Sequence, residues 1–343
     1  MRSVHTVISI AEASGVGEAR RAAQRASAEA GLSETDAGRV GIIVTELANN
    51  LVRHARDGGQ MLVVAQEFAG TSSVEILALD KGPGMDDVNR CIQDGFSTGG
   101  TPGTGLGAVG RLSSEFDLYS SGAGTVIWSR VRPSTGMIPK WAPPSQTWGV
   151  ICVPAPGETV CGDACCLAVE NGRMALMIAD GLGHGPSAAE ASQAACRIFN
   201  DAPFGGPVSL METAHSALVA TRGAAIAVAS VQLDAGKLKY GGVGNIAGTL
   251  LSGGQGSRGL FSHNGTLGHQ IRKVQEFEYP WQASSILVMH SDGLQTRWDL
   301  AKYPGLWRRH PAVIAGVLYR DFRRGRDDVT IAVLAPFAGT GKP

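Results

Sequence analysis

The pattern of apolar and polar residues in the first part of the chain predicts a strand followed by two helices. The alternation over 4–10 predicts a strand. The Ala- and Arg-rich segment 18–30 predicts a helix, with Ser14 as a cap before it and Gly31 as its C-terminal stop. Ser33 predicts the start of a second helix, because the apolar residues that follow recur at intervals of three and four: Val40, Ile43, Val44, Leu47 and Leu51.

The pattern then changes to strands with one short helix between them. Apolar runs over 61–68 and 74–79 predict two strands, and glycine-rich loops follow them. A short helix is predicted over 106–112, and strands over 115–119 and 125–131 are joined by the turn S-G-A-G. These elements predict helices packed on one face of a mostly antiparallel sheet.

A proline-rich segment over 133–146 separates this half from the next and is predicted to be a linker. Strands are then predicted over 148–153, 174–179, 225–233, 238–243, 286–290 and 329–334, with helices over 187–199 and 210–220. The fold class is therefore α+β with two different domains. Their predicted bounds are 1–132 and 147–337, with 338–343 as a tail.

Composition narrows the classes of function. Thirty Lys and Arg balance thirty Asp and Glu, so the chain lacks the positive charge with which proteins hold nucleic acid. No apolar run approaches the length of about 18 residues that a membrane span needs, and none fits a signal peptide, which predicts a cytoplasmic protein. The six cysteines form no C-x-x-C pair and are expected to be reduced, and Cys161, Cys165 and Cys166 fit buried small hydrophobic residues better than a zinc site.

A helix with a carboxylate and an amide one turn apart precedes two glycine-rich loops. Glu46 and Asn50 are four residues apart, so both side chains project from one face of the second helix. A carboxylate can deprotonate an attacking hydroxyl, and an amide oxygen can bind Mg²⁺. Asp80 follows a strand in D-K-G-P-G, and segment 94–107 leads into a helix whose N-terminus can hold phosphates. Each motif alone also fits a solvated helix face or an ordinary turn, but their order predicts a nucleotide site.

This order of motifs resembles the GHKL ATPase fold. T-E-L-A-N-N-L-V-R-H-A and G-F-S-T-G-G are similar to the RsbT-type serine/threonine kinases, relatives of the anti-sigma kinases, over about residues 1–132. The resemblance implies a Bergerat α/β sandwich that binds ATP and Mg²⁺, with Glu46 as the catalytic base and Asn50 as the Mg²⁺ ligand. It also implies further ATP-binding residues: Asp80, Gly82, Gly84, Thr104, Gly105, Leu106 and Gly107.

Acidic residues follow glycines or end apolar runs at four places in the second half. Asp180 and Asp292 each end an apolar run, which predicts carboxylates at the rim of a sheet. Asp163 follows a glycine, and Asp327 and Asp328 precede the last strand. Oxygen ligands suit Mg²⁺ or Mn²⁺, and two such ions about 3.5–4 Å apart can activate water toward a phosphoryl group. The alternative is four unrelated turn aspartates.

These aspartates, with D-G-L-G-H-G and G-V-G-N-I, resemble the SpoIIE-type metal-dependent protein serine/threonine phosphatases and are most similar to the RsbX branch. The resemblance implies a central β-sandwich flanked by helices and two bound ions, Mn²⁺ or Mg²⁺. The implied ligands are Asp163, Asp180, the carbonyl of Gly181, Asp292 and Asp327. Asp328 would orient the loop, and His184 would either assist proton transfer or structure its loop. Many relatives carry G-D-x-x-D, whereas this chain has Cys166 at the last position.

Two functions of different classes follow from these resemblances. The first is a bifunctional switch in bacterial stress signalling, with a kinase and a phosphatase acting on a STAS-domain partner of the stressosome or anti-anti-sigma type. The second makes the N-terminal domain a nucleotide-dependent module that binds a STAS protein or a sigma factor and regulates the phosphatase without kinase activity. Neither involves nucleic acid or a membrane.

Overall fold

The computed structural model describes residues 4–68, 70–92, 105–134, 147–252 and 256–336. These residues fall into two compact units, 5–134 and 147–336. Most of the predicted linker and all of the predicted tail lie outside the described residues, so the exact domain bounds stay predictions. No helix in the described ranges has the length and apolar character needed to cross a membrane.

The N-terminal unit is one antiparallel sheet covered by helices, as the sequence predicts. The sheet has the strand order β1–β2–β3–β5–β4. The elements are β1 (Thr6–Ile10), α1 (Ala13–Glu29), α2 (Glu34–His54), β2 (Gly59–Phe68), β3 (Thr71–Asp80), α3 (Val88–Ile92), α4 (Gly105–Leu112), β4 (Glu115–Ser121) and β5 (Gly124–Val131).

Helix α2 connects the core of this unit to its candidate site. Its predicted apolar stripe is confirmed, because the five residues at intervals of three and four are all buried. They pack with residues of α1 and of the sheet in one cluster. Burial of each such side chain stabilises the fold by about 1.5–3 kcal/mol. The opposite face of α2 is therefore free to carry polar groups.

The predicted helix ends are partly right. Ser33 caps α2, since its hydroxyl accepts a hydrogen bond from the Asp36 amide at 3.1 Å, and Gly31 has the left-handed φ of +62° that ends α1. The prediction of Ser14 as the cap of α1 is wrong. The helix begins at Ala13 and Ser14 lies inside it. Glycines, which weaken helices, hid this start in the sequence. At Gly15 a Cβ would make a tight contact, 3.0 Å from the Ser9 carbonyl oxygen of β1.

The C-terminal unit contains two five-stranded antiparallel sheets, in the orders β15–β10–β9–β8–β7 and β12–β11–β16–β17–β6. Helices α5 and α6 pack against the first sheet and α7 against the second, which confirms the predicted sandwich with flanking helices. The elements are β6 (Thr147–Val153), β7 (Asp163–Glu170), β8 (Arg173–Gly181), α5 (Pro186–Asp201), α6 (Pro207–Ala217), β9 (Ala224–Gln232), β10 (Lys237–Val243), β11 (Ala247–Leu251), β12 (Ser257–Leu260), β13 (Gly265–Thr266), β14 (Gln270–Ile271), β15 (Phe277–Pro280), β16 (Ile286–His290), α7 (Pro311–Phe322) and β17 (Val329–Ala335).

Five of the six cysteines are buried in this unit. Cys152, Cys161 and Cys165 are buried thiols outside any disulfide, as expected of small apolar residues. Cys166 on β7 and Cys196 on α5 are joined as a disulfide, with their Cα atoms 6.2 Å apart. The expectation of six reduced cysteines is therefore wrong for this pair. The pairing was not visible in the sequence because it depends on α5 lying across β7.

Candidate functional sites

Helices α2 and α4 bring three predicted residues of the N-terminal site together. Glu46 and Asn50 lie one turn apart on α2, and both are half-buried. Gly105 begins α4, and a Cβ on it would lie 3.1 Å from Glu46 Oε2 and 3.9 Å from Asn50 Oδ1. The backbone at the start of α4 is therefore next to the carboxylate and the amide. Thr104 and the rest of segment 94–104 lie outside the described residues.

The two residues after Gly105 occupy the first turn of α4. Gly107 is buried, and Leu106 packs its side chain against the apolar core of the unit. Contact of Leu106 with a nucleotide would therefore come from its backbone. Phosphates are bound at helix N-termini by backbone N–H groups, so phosphate binding by Gly105, Leu106 and Gly107 stays a prediction.

Asp80 is the last residue of β3, and its carboxylate is held by two backbone amides. Oδ1 accepts hydrogen bonds from Gly82 N at 2.7 Å and from Thr125 N at 3.3 Å. A Cβ on Gly82 would lie 3.0 Å from the His54 carbonyl oxygen, and one on Gly84, where φ is +79°, 2.1 Å from the Ser121 carbonyl oxygen. Gly84 is therefore required for the close packing of this loop, and a side chain at Gly82 would make tight contacts. The contact with Thr125 was missed because a backbone amide leaves no signal in the sequence.

Glu46 also lines a groove of about 800 Å³ between α1 and α2. Two small residues of α2, Gly38 and Gly41, line it together with Ile42, whose side chain is 49% exposed. Arg20 and Arg21 of α1 line the same groove, and both are exposed. The carboxylate is therefore accessible from a surface with basic and apolar groups.

In the C-terminal unit, the first two predicted aspartates face each other across neighbouring strands. Asp163 begins β7 and is the register partner of Asp180, which lies one residue before the end of β8. Gly181 follows directly, and a Cβ there would lie 2.0 Å from the Ala188 carbonyl oxygen of α5. Helix α5 thus packs directly on the backbone next to Asp180.

Ser291 connects Asp163 to the second sheet. Its hydroxyl donates to Asp163 Oδ2 at 2.6 Å and accepts from the Thr330 amide at 2.9 Å. Ser291 follows β16 and Thr330 lies near the start of β17, so this hydroxyl joins the start of β7 in the first sheet to the ends of two interior strands of the second. Ser291 is not among the predicted site residues, although it precedes Asp292 in H-S-D-G-L.

The remaining aspartates come from the second sheet and its loops. Asp292 Oδ2 accepts a hydrogen bond at 2.8 Å from the side-chain amide of Asn245, which belongs to the G-V-G-N-I turn. Asp327 Oδ1 accepts from the Asp328 amide at 2.9 Å. The buried carboxylate of Asp328 accepts from two backbone amides, Ala155 N at 2.8 Å and Gly162 N at 3.0 Å. These contacts support the predicted role of Asp328 in orienting loops.

The aspartates act on one another electrostatically. Burial and like charges raise the pKa of Asp180 to about 9; burial is the largest cause, followed by the charges of Asp163, Asp292, Asp327 and Asp328. Burial likewise raises the pKa of Asp163 to about 7, although the hydrogen bond from Ser291 opposes it. In the described part of the chain, no three acidic, imidazole or thiol side chains are close enough to form a metal site. The chemistry of the donors nevertheless suits a divalent cation, because such an ion would neutralise these carboxylates.

In the D-G-L-G-H-G loop, two glycines have positive φ, and a charged side chain from elsewhere in the domain lies over each of them. Gly183 has a φ of +91°, and a Cβ on it would lie 3.1 Å from Arg222 Nη1. Gly185 has a φ of +74°, and its Cβ would lie 3.1 Å from Glu158 Oε2. The exposed His184 places Nδ1 2.7 Å from Glu158 Oε1, which supports the loop-structuring alternative for this histidine. Cys166, at the position where many relatives have an aspartate, is buried and joined to Cys196, so it offers no oxygen ligand here.

Two known protein families match the chain, one in each of its two units. Residues 10–131 match the family described as histidine kinase-like ATPase domain, and residues 170–335 match the family described as stage II sporulation protein E (SpoIIE). Glu46, Asn50 and Asp80 lie inside the first match. Asp180, Asp292 and Asp327 lie inside the second, while Asp163 precedes it.

Two proteins of Bacillus subtilis (strain 168) are similar to different parts of the chain. The serine/threonine-protein kinase RsbT is 37% identical over 110 residues, which are 32% of this chain and 82% of RsbT. The phosphoserine phosphatase RsbX is 25% identical over 138 residues, which are 40% of this chain and 69% of RsbX.

Solved structures are similar as well. A crystal structure of RsbX in complex with magnesium has a TM-score of 0.52 at 22% identity, covering 56% of this chain and 96% of the other, and it shows the fold. A structure from work on the bacterial stressosome as a modular system that controls secondary messenger signalling has a TM-score of 0.52 at 29% identity. It covers 55% of this chain and 98% of the other.

Proposed function

We propose that this chain, which belongs to the histidine kinase-like ATPase family and carries a C-terminal SpoIIE-type domain, is a two-way phosphorylation switch. The N-terminal domain transfers the γ-phosphate of ATP to a serine or threonine of a STAS-domain partner. The C-terminal domain hydrolyses the resulting phosphoester. Similarity to RsbT supports the first activity and similarity to RsbX the second. The proposed context is a bacterial stress response that regulates a sigma factor.

The kinase half of the proposal rests on one observation: Glu46 and Asn50 lie next to the backbone at the start of α4. In this proposal Glu46 accepts the proton of the attacking hydroxyl, and the Asn50 side-chain oxygen binds Mg²⁺. Asp80, held by two amides, binds the adenine amino group, and the backbone of Gly105 to Gly107 lies along the phosphates. ATP with Mg²⁺ supplies the transferable phosphoryl group. The groove beside Glu46 gives a protein substrate access to the carboxylate.

The phosphatase half of the proposal rests on the aspartates at the ends of strands in the two sheets. Asp163, Asp180, the carbonyl of Gly181, Asp292 and Asp327 would hold two Mn²⁺ or Mg²⁺ ions. Such ions supply Lewis acidity that activates water and neutralises phosphoryl charge. The protein's own contribution is orientation, since hydrogen bonds from neighbouring residues fix the carboxylates before a substrate binds: Ser291 to Asp163 and Asn245 to Asp292.

The groove also favours a second candidate function for the N-terminal domain. Its basic and apolar lining would suit capture of a partner protein, either a STAS protein or a sigma factor, in a nucleotide-dependent manner. Such a module would regulate the phosphatase without transferring phosphate. Capture would survive loss of the Glu46 carboxylate, whereas phosphate transfer would not.

Intact-mass spectrometry of a STAS protein from the same cells tests both activities. The Asp292→Asn variant, incubated with ATP and Mg²⁺, should add one phosphate that wild-type phosphatase would otherwise remove. Adding Glu46→Ala should abolish this gain, because no base remains for the hydroxyl proton. Glu67→Ala, which removes an exposed carboxylate from β2 of the same domain, should leave the gain unchanged.

The phosphorylated product is then the substrate for the second arm. Wild type with Mn²⁺ should remove the phosphate, and Asp180→Asn should not. If Asp292→Asn binds ATP and the STAS protein but adds no phosphate, the kinase half is wrong and the capture module replaces it. If Asp180→Asn dephosphorylates at the wild-type rate, the aspartate cluster, formed by Asp163, Asp180, Asp292, Asp327 and Asp328, is not the phosphatase site.

A further inference from the structure

An exposed arginine lies over the loop that follows Asp180. Arg222 is in the connection between α6 and β9, and its Nη1 atom is 3.1 Å from the position of a Cβ on Gly183. Gly183 has a φ of +91°, a conformation that strains any other residue. The glycine therefore allows the loop conformation and also leaves space for the guanidinium.

The connection that carries Arg222 is fixed by hydrogen bonds on both sides. The Arg222 carbonyl accepts from His269 Nε2 at 2.9 Å, and the Gly223 carbonyl accepts from Leu182 N at 3.0 Å. Ala224 and Leu267 exchange two backbone hydrogen bonds, at 3.1 and 2.9 Å. The backbone that holds the guanidinium is thus ordered in advance, which reduces the entropy lost when a ligand binds.

The guanidinium of Arg222 is available for an external anion. Across the described residues, no carboxylate accepts a hydrogen bond from it or pairs with it. The carboxylate of Glu158, which lies over Gly185, is not available in this way, because it is paired with His184. Buried Arg130 also differs, because it pairs with Glu75 and Glu115.

The guanidinium is next to the aspartate cluster rather than elsewhere on the surface. Gly183 comes three residues after Asp180, and its carbonyl oxygen is 3.5 Å from the position of a Cβ on Gly162. Gly162 immediately precedes Asp163. Gly183 is therefore close both to the guanidinium and to the residue before Asp163, which puts Arg222 near the rim of the cluster.

We propose that Arg222 binds the phosphoryl group of the phosphoserine or phosphothreonine substrate at this rim, an inference that rests on the proposed phosphatase function. A phosphate ester is an anion, and the carboxylates of the cluster repel it until cations balance them. The planar guanidinium offers two parallel N–H donors that match phosphate oxygens. Arg222 is thus a substrate-binding residue that no predicted motif contained.

Steady-state hydrolysis of p-nitrophenyl phosphate with Mn²⁺ tests this role in the full chain. Arg222→Ala should raise KM, and the inhibition constant of inorganic phosphate, on the order of tenfold, because charge-assisted hydrogen bonds to the anion are lost. The value of kcat should stay close to wild type, and Arg222→Lys should recover part of the affinity. The control is Arg197→Ala, which removes an exposed arginine from α5 of the same domain.

Three results would overturn the proposal: an unchanged KM in Arg222→Ala, an equal change in Arg197→Ala, or a loss of Mn²⁺ affinity in Arg222→Ala that accounts for the effect. Calorimetric titration of Mn²⁺ measures the last of these. Failure of the phosphatase function itself is distinguishable, because wild type would then hydrolyse nothing. Titration of the Mn²⁺-loaded protein with inorganic phosphate would still compare wild type with Arg222→Ala, and equal binding would refute the anion site.

Discussion

A single buried carboxylate, that of Asp36, fastens the start of α2 to the end of the N-terminal domain. It accepts hydrogen bonds from the hydroxyl and amide of Ser134, ninety-eight residues away, and from Arg39 Nη1 at 2.8 Å. Burial raises the pKa of Asp36, but the hydrogen bonds from Ser134, Ser33 and Arg39 outweigh burial and hold the pKa well below its ordinary value of 3.8. The ionised carboxylate therefore stabilises the fold that positions Glu46.

This arrangement predicts a pH-dependent loss of stability in Asp36→Asn. A carboxylate whose pKa is lowered by folding stabilises the protein above its unfolded pKa, and this stabilisation is lost as the pH falls through the folded pKa. Urea unfolding at pH 7 should therefore show a loss of about 2 kcal/mol in the variant, because hydrogen bonds to a charged group are removed. The difference from wild type should narrow at pH 3.

Asp57→Asn is the matched control, since it neutralises an exposed aspartate of the same domain. It should change the unfolding free energy by less than about 0.5 kcal/mol at either pH. A difference for Asp36→Asn that is equally large at pH 3 and pH 7 would show that shape, not charge, explains the effect.

Candidate residues could be predicted from the sequence where they lie in one short segment. Glu46 and Asn50 were identified as candidates because a spacing of four fixes their common helix face. Ser291 and Arg222 were not, because each acquires its role from residues distant in sequence: Asp163 for Ser291, and Gly183 for Arg222. The contact between Asp36 and Ser134 was unpredictable for the same reason.

Among the secondary-structure elements, α7 was missed although it is central to the second sheet's packing. Residues Pro311 to Arg320 are all buried, so the segment lacks the polar face from which periodicity identifies a helix. The helix begins after His310, whose Nδ1 accepts from the Ala312 amide at 3.1 Å. Strand β7 was missed too, because it opens with the small residues of D-A-C-C. Strands β4 and β5 were predicted, since aromatic and apolar residues alternate with acidic ones in β4, β-branched and aromatic residues are frequent in β5, and S-G-A-G marks the turn between them.

The packing of α7 on β6 depends on one glycine, which gives a prediction for this pair of elements. A Cβ on Gly149 would lie 2.1 Å from the Ala312 amide nitrogen, a contact that no side-chain rotation can relieve. Gly149→Ala should therefore lower the free energy of unfolding of the C-terminal domain by about 3 kcal/mol, measured by urea denaturation. Gly259→Ala on β12, where a Cβ meets open space, should be within about 0.5 kcal/mol of wild type. Equal stability of both variants would contradict the close packing of α7 on β6.

For the whole molecule, two units with separate hydrophobic clusters carry opposing proposed activities. Each proposed site lies within one unit: Glu46, Asn50 and Asp80 in the first, and the aspartates with Arg222 in the second. A ligand of one site should therefore stabilise its own unit, because binding to the native state shifts only the unfolding equilibrium to which it is linked.

Calorimetric unfolding of the full chain should accordingly show two transitions that respond to different ligands. With Mg²⁺ held constant, ADP at a hundred times its dissociation constant should stabilise the N-terminal transition by about 2.7 kcal/mol, a shift of several degrees. Mn²⁺ added to chelator-treated protein should raise the other transition. Gly149→Ala identifies the C-terminal transition, because it should lower that one alone. Asn50→Ala should abolish the ADP shift and Asp180→Asn the Mn²⁺ shift. Movement of both transitions by ADP would contradict the independence of the two units and would mean that nucleotide binding is coupled to the phosphatase domain.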